Sequence, residues 1–288
     1  MSPLAVLLIL IAAGSHATWN LAAKRGGAAG TTFTFSYLAA SAVILIPVTV
    51  LAVLLAGDRP HPVWLLGGVV SGLLQTGYFL LLQRGYAAGD MSVVYPLARG
   101  TGPLLSVVFA ILLLHERITP VAMAGAAAVI CGVFVIGSGG STAGGKRALR
   151  PSLGYALATG LTIAAYTLWD GNAVTTWGVP PLVEYGVGSV IEALALLPYA
   201  LAHREAVGRT WRAHRGPALV VALLAPLSYV LVLYAMRLAP VALVAPAREL
   251  SIVIGGILAW RVLHEPNPGR RLAGAAIVLT GIVALAVS

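Results

Sequence analysis

Apolar runs of about 20 residues recur along the whole chain, separated by short polar or Gly/Pro-containing breaks. A helix of that length crosses about 30 Å of hydrocarbon. Ten such spans are predicted, at approximately 3–23, 31–56, 63–83, 91–114, 119–138, 152–172, 181–202, 217–236, 240–263 and 270–287. Gly26-Gly27, Asp58-Arg59-Pro60 and Pro180-Pro181 fall between runs, where chain-breaking residues belong. The alternating pattern of a membrane β-barrel is absent, so the backbone must satisfy itself in lipid as a helical bundle. The expected fold is an all-α polytopic membrane protein.

The pattern repeats. The stretch "LARGTGPLLSVVFAILLLHERITPVAMAGAAAVICG" from Leu97 aligns with "PARELSIVIGGILAWRVLHEPNPGRRLAGAAIVLTG" from Pro246 at a constant offset of 149. Ala98-Arg99 falls on Ala247-Arg248, Leu114-His115-Glu116 on Leu263-His264-Glu265, and Gly125 and Gly132 on Gly274 and Gly281. One offset held through two helices and their linker marks an internal duplication. The Gly/Ser-rich segment Gly137–Gly145, followed by Lys146-Arg147, divides the chain near its middle. This gives a first five-helix repeat over 1–138, a linker over 139–151 and a second repeat over 152–288. A five-span repeat ends on the side opposite its start, so the second copy must be inserted upside down, as in many secondary transporters.

Composition sharpens this picture. Hydrophobic residues make up 59% and charged residues 9%, with a mean hydropathy of +0.93. Soluble domains carry about 25% charged residues. The net charge of +9 comes without a basic, aromatic-interleaved cluster outside the spans, which argues against nucleic acid and for juxtamembrane anchoring. Thirteen Lys and Arg residues lie in odd-numbered loops and three (Arg59, Arg117, Arg237) in even-numbered ones, so the odd loops are expected in the cytoplasm and both termini outside. The lone cysteine, Cys131, permits no intrachain disulfide. The first run has no basic segment before it and is read as a retained helix.

Ionisable side chains inside spans cost energy and each needs a reason. The candidates are His16, Arg99, Asp170, Glu192, Arg248 and Glu249. Arg99 lies about eight residues, or roughly 12 Å, into the fourth span. Arg248 lies equally deep in the ninth, which starts from the opposite face. Two guanidinium forks meeting near the middle suit a carboxylate, phosphate or phosphonate. The alternative is structural ion pairing: Glu249, whose repeat mate is Gly100, could neutralise Arg99, and Glu192 or Asp170 could neutralise Arg248. On a regular helix Arg248 and Glu249 point about 100° apart and should not pair with each other.

In the first span His16, Trp19 and Asn20 share a helix face that Lys24 extends to the water boundary, and Tyr166, Trp169 and Asp170 echo it at an offset of 150. This stripe reads as cavity lining or as interhelical hydrogen bonding with an aromatic belt. Glu192, deep in the seventh span, is the candidate for a coupling proton, with a structural ion pair or a water-facing position as the alternative. Glu184, near that span's start, is expected at the interface. Gln75, Tyr78 and Tyr229 could supply neutral hydrogen bonds. His115-Glu116 and His264-Glu265 come without a metal-ligand array and are expected to anchor helices at the membrane edge; no metal is expected. Glycines seven apart, Gly125/Gly132 and Gly274/Gly281, mark faces of close helix approach. No P-loop or dinucleotide fingerprint is present, so neither ATP-driven transport nor another cofactor is expected.

A span ending in Glu, a short linker and a Gly-containing span occur twice, as Glu116…Gly125…Gly132 and Glu265…Gly274…Gly281. On these motifs the chain resembles the drug/metabolite transporter superfamily, specifically its EamA-type members, over essentially its whole length. The resemblance implies ten helices and a central cavity lined largely by the fourth and ninth spans. His16-Ala17-Thr18-Trp19-Asn20 with Lys24 is similar to a branch associated with phosphonate utilisation. Pro266 and Pro268 depart from the usual basic or polar start of the last linker.

The expected function is therefore secondary transport, by alternating access, of a small metabolite bearing an anionic group: an organic acid, an amino-acid-like zwitterion or a phosphate or phosphonate. The expected location is the inner or plasma membrane, with protons as a candidate coupling ion. The rivals are an exporter of organic cations or drugs using Asp170, Glu192 or Glu249, and, from other classes, an intramembrane enzyme or a lipid flippase. No nucleophile–base or metal constellation supports an enzyme.

Overall fold

Long helices built from these runs dominate the computed structural model, which describes residues 1–25, 30–88, 91–137, 146–263 and 268–288. In chain order they are α1 (Pro3–Arg25), α2 (Thr31–Ala56), α3 (Pro62–Ala88), α4 (Met91–Leu113), α5 (Pro120–Gly137), α6 (Lys146–Thr175), α7 (Pro181–Ala202), α8 (Arg204–Met236), α9 (Val241–Ala247), α10 (Leu250–Leu263) and α11 (Pro268–Val287). α9 and α10 together form the ninth span, so ten transmembrane helices make two inverted five-helix repeats. Most of the Gly/Ser linker, the His264-Glu265 corner and the Lys24 side chain lie outside the described residues.

Six stretches among the described residues are long and apolar enough to cross a membrane, and three shorter apolar helices join them. Large apolar side chains such as Val43, Leu54, Leu55, Leu65 and Leu113 point outward. In water that would be a large unpaired apolar surface; against lipid it costs nothing. The interior is instead rich in alanine, glycine and serine, which let backbones approach.

The packing follows the duplication. α1 lies against α8, and its repeat mate α6 against α3; α2 pairs with α7, α4 with α9 and α5 with α11. The last pair is backbone against backbone. A Cβ on Gly132 would sit 2.8 Å from the Gly274 carbonyl oxygen, and one on Gly281 would sit 2.6 Å from that of Gly125. Each glycine of one repeat thus faces the other glycine of its partner, the reciprocal contact expected of a two-fold relation.

Two departures from the expected spans have local causes. The seventh loop is helical: α8 is 33 residues long, with a non-helical residue at His214 (φ −128°, ψ 22°). Pro217 follows, and its ring would clash with the carbonyl of residue 213 in an unbroken helix. Glu205 and Arg209, 3.7 Å apart one turn from each other, support the solvent-exposed first segment. The ninth span breaks at Arg248-Glu249. Pro246 has no N–H to give Ala242, and beyond it the bonding tightens to i−3: Glu249 N–H to Pro246 O (3.0 Å), Ser251 to Arg248 (3.2 Å) and Ile252 to Glu249 (2.9 Å). The equivalent of Pro246 in α4 is Leu97, and α4 runs unbroken through Arg99.

Candidate functional site

The break places charge at the centre of the bundle. Every residue of α9 is buried, and 67% of the ninth span's apolar window is buried, against 22–44% for the other five spanning stretches. Arg99 and Arg248 are 7% and 9% exposed and Glu249 1%. Glu249 bridges them: Arg99 Nη2 lies 3.2 Å from its Oε2, and Arg248 Nε 3.6 Å from its Oε1. Arg248 and Glu249, expected not to satisfy one another face-on, form an ion pair at 3.6 Å without a hydrogen bond. A 3₁₀ turn sets neighbours about 120° apart, so it is their long side chains that bring them together. The duplicated arginines do converge from opposite repeats, on a carboxylate that the duplication does not share. Gly100, in that place on α4, lies against Phe134: a Cβ there would be 2.5 Å from the ring. The first repeat has no room for a second glutamate.

Around this triad stand aromatic hydroxyls. Arg248 Nη2 donates to the Tyr166 hydroxyl at 3.2 Å, and its guanidinium carbon lies 5.8 Å from that ring's centroid. Tyr78 and Tyr229 flank Tyr166 edge-on at 6.1 and 6.0 Å, and Tyr185 lies 5.6 Å from Tyr229. The Tyr229 hydroxyl donates to Asp170 Oδ2 at 2.6 Å. Asp170 is therefore held by a tyrosine. His16, the repeat mate of Tyr166, comes within electrostatic reach of both arginines.

Not every member of the expected stripe joins this group. Asn20 donates to the backbone of His16 in its own helix (3.0 Å). Trp19 stacks edge-on against His16 (4.8 Å) and packs toward Phe33, Ala218 and Val221. Trp169 turns away to α3, donating to the Gly67 carbonyl at 3.0 Å and meeting Trp177 edge-on. Gln75 donates to Ser71 within α3. Glu192 is 9% exposed, and its Oε1 has no hydrogen-bond partner among the described residues. Glu184, expected at the interface, is 0% exposed.

Glu116 does something the sequence reading missed. Its Oε1 accepts the Val241 N–H (2.7 Å) and its Oε2 the Ala242 N–H (2.8 Å), so the corner after α4 caps the first turn of α9. A carboxylate there satisfies two orphan donors and complements the helix dipole. The repeated Leu-His-Glu was a usable signal: a glutamate kept in both copies at a span's end needs a partner on the other repeat. Among the described residues no group of three or more His, Cys, Asp or Glu side chains could hold a metal ion.

Inverted halves, a spanning helix broken at mid-bundle and ionisable groups at the break define the class of inverted-repeat membrane transporters. Residues 3–138 and 150–287 match the EamA-like transporter family, and the chain belongs to it, a family of small-solute transporters. A solved structure titled only "Crystal structure of protein" superposes with a TM-score of 0.74 at 22% identity, covering 98% of this chain and 96% of its own, and so shares the fold. No curated protein matches.

Proposed function

We propose that the protein is a secondary transporter, in an inner or plasma membrane, of a small metabolite with an anionic group, bound between Arg99 and Arg248. The observation that carries this reading is the shared carboxylate. The triad of two buried arginines and one glutamate carries +1, walled by tyrosines and with Asp170 within electrostatic reach of Arg248. Such a site has the charge and the bidentate donors for one more carboxylate, phosphate or phosphonate. Glu249 occupies the clamp as that group would, so substrate binding reorganises the triad rather than filling an empty hole. Tyr229 and Asp170 suit the cationic end of a zwitterion, and Glu192 is the acid assigned to the coupling proton.

Purified protein screened by thermal shift against anionic, zwitterionic and cationic metabolites tests the reading, because a ligand that binds only the folded state raises its stability. Anions or zwitterions should stabilise the wild type, and hits should be taken up by proteoliposomes. Stabilisation by organic cations alone would transfer the site to the acids Asp170 and Glu192 and overturn the anion clamp.

A further inference from the structure

Glu184 is the fourth residue of α7, where sequence position alone places it at the membrane edge. Its side chain instead turns inward onto the glycine face of α3. A Cβ on Gly67 would collide with Glu184 Oε2, and one on Gly68 would lie 3.0 Å from the Glu184 carbonyl oxygen. Neither carboxyl oxygen has a hydrogen-bond partner among the described residues. Trp169, the nearest ring donor, gives its N–H to the Gly67 carbonyl instead.

Among the described residues no cation pairs with Glu184. From α3 come Gly67 and Gly68; from α2, Thr49 reaches the adjoining turn of α7; from α8, Tyr229 is bonded to Asp170. From α6 comes Asp170, itself an acid, within electrostatic reach of both Glu184 and Glu192. α7 itself adds Tyr185 and, eight residues or about 12 Å further on, Glu192. A carboxylate ion buried without a donor or a cation is costly, whereas the same group with a proton attached fits. Asp170 Oδ1 is also buried without a hydrogen-bond partner among the described residues.

We propose that Glu184 is a proton-binding site at the end of α7 nearest the α6–α7 loop, and that it joins Glu192 in carrying the coupling proton. On release the Glu184 O–H bond breaks and an O–H bond forms on a water molecule admitted to the site; uptake is the reverse. Asp170, within electrostatic reach of both Glu184 and Glu192, is joined to the substrate site through Tyr229 and Tyr166. The coupling role rests on the transporter reading; the proton site does not.

Difference infrared spectroscopy of the purified protein across a pH titration reads the site directly. The wild type should show a protonated-carboxyl band of which one component is lost in Glu184→Gln. An unchanged band would overturn the proposal. Should Glu184→Gln fail to fold, Gly67→Ala displaces the carboxyl at the flexible end of its side chain, and its band should move; a band that stays in place overturns the proposal equally. In proteoliposomes Glu184→Gln should lose pH-gradient-driven uptake and keep substrate exchange at equal pH. Full gradient-driven uptake in that variant removes the coupling role. Absence of any uptake by the wild type counts against the transporter reading, and the infrared result still decides whether Glu184 binds a proton.

Discussion

Arg99 and Arg248 stand at equivalent positions of a duplicated segment, yet their settings differ in two ways. Arg99 sits on an unbroken helix beside a glycine pressed on Phe134; Arg248 sits at a helix break beside a glutamate. A second pair of duplicated positions, the glycines of α5 and α11, has stayed reciprocal. The contrast teaches where symmetry is held and where it is spent. Backbone-to-backbone packing tolerates no added atom on either side, so both copies keep glycine. At the centre only one copy has room for a carboxylate, and that one substitution turns two like charges into a bridged triad.

The largest effect should come from removing the asymmetry. Glu249→Gln leaves two buried guanidinium groups without their shared carboxylate, and breaking a buried pair this way costs about 3–5 kcal/mol. Thermal unfolding in detergent measures it, and an anionic ligand should restore more stability in this variant than in the wild type. Unchanged stability would mean the triad does not hold the halves together.

Next come the arginines one at a time. Because Glu249 retains the other arginine, Arg99→Gln or Arg248→Gln should spare the fold better than Glu249→Gln does. Each should weaken substrate by about 1.5–3 kcal/mol, roughly ten- to a hundred-fold in affinity. Arg248→Gln also loses the hydrogen bond to the Tyr166 hydroxyl. Lysine at either position keeps the charge but not the fork, so it should fall between wild type and glutamine in a binding titration. Equal affinity in all four variants would place the substrate elsewhere.

The symmetric region gives a control of smaller size. Gly132→Ala and Gly281→Ala each push a methyl into a backbone carbonyl, for about 1–3 kcal/mol. Their thermal midpoints should drop alike, and a clear inequality would break the reciprocity of α5 and α11. Smallest of all, Glu116→Ala removes the cap on α9, worth about 0.5–2 kcal/mol. Faster hydrogen exchange at Val241 and Ala242 should accompany it, and unchanged exchange would show that the cap does not hold that turn.

Much of this was legible in one dimension. Hydropathy located the ten spans, because lipid demands long apolar helices whatever their neighbours. The constant offset from Leu97 and Pro246 revealed the duplication, and the odd span count its inversion. Counting residues from each span's start was enough to bring Arg99 and Arg248 to matching depth. What that arithmetic lacks is rotation and long-range contact. Glu184 and Trp169 both turn toward Gly67 because α3 offers a side-chain-free face there. Glu116 reaches the α9 amides 125 residues away because α4 and α9 pack together, with the end of one by the start of the other. Arg248 and Glu249 meet because their long side chains fold toward one another at the helix break. The sequence by itself determined the spans and the repeat, since these follow from transfer into lipid and a fixed rise per residue. Only the tertiary structure decided which charges touch, since that depends on how helices far apart in the chain rotate against one another to pack.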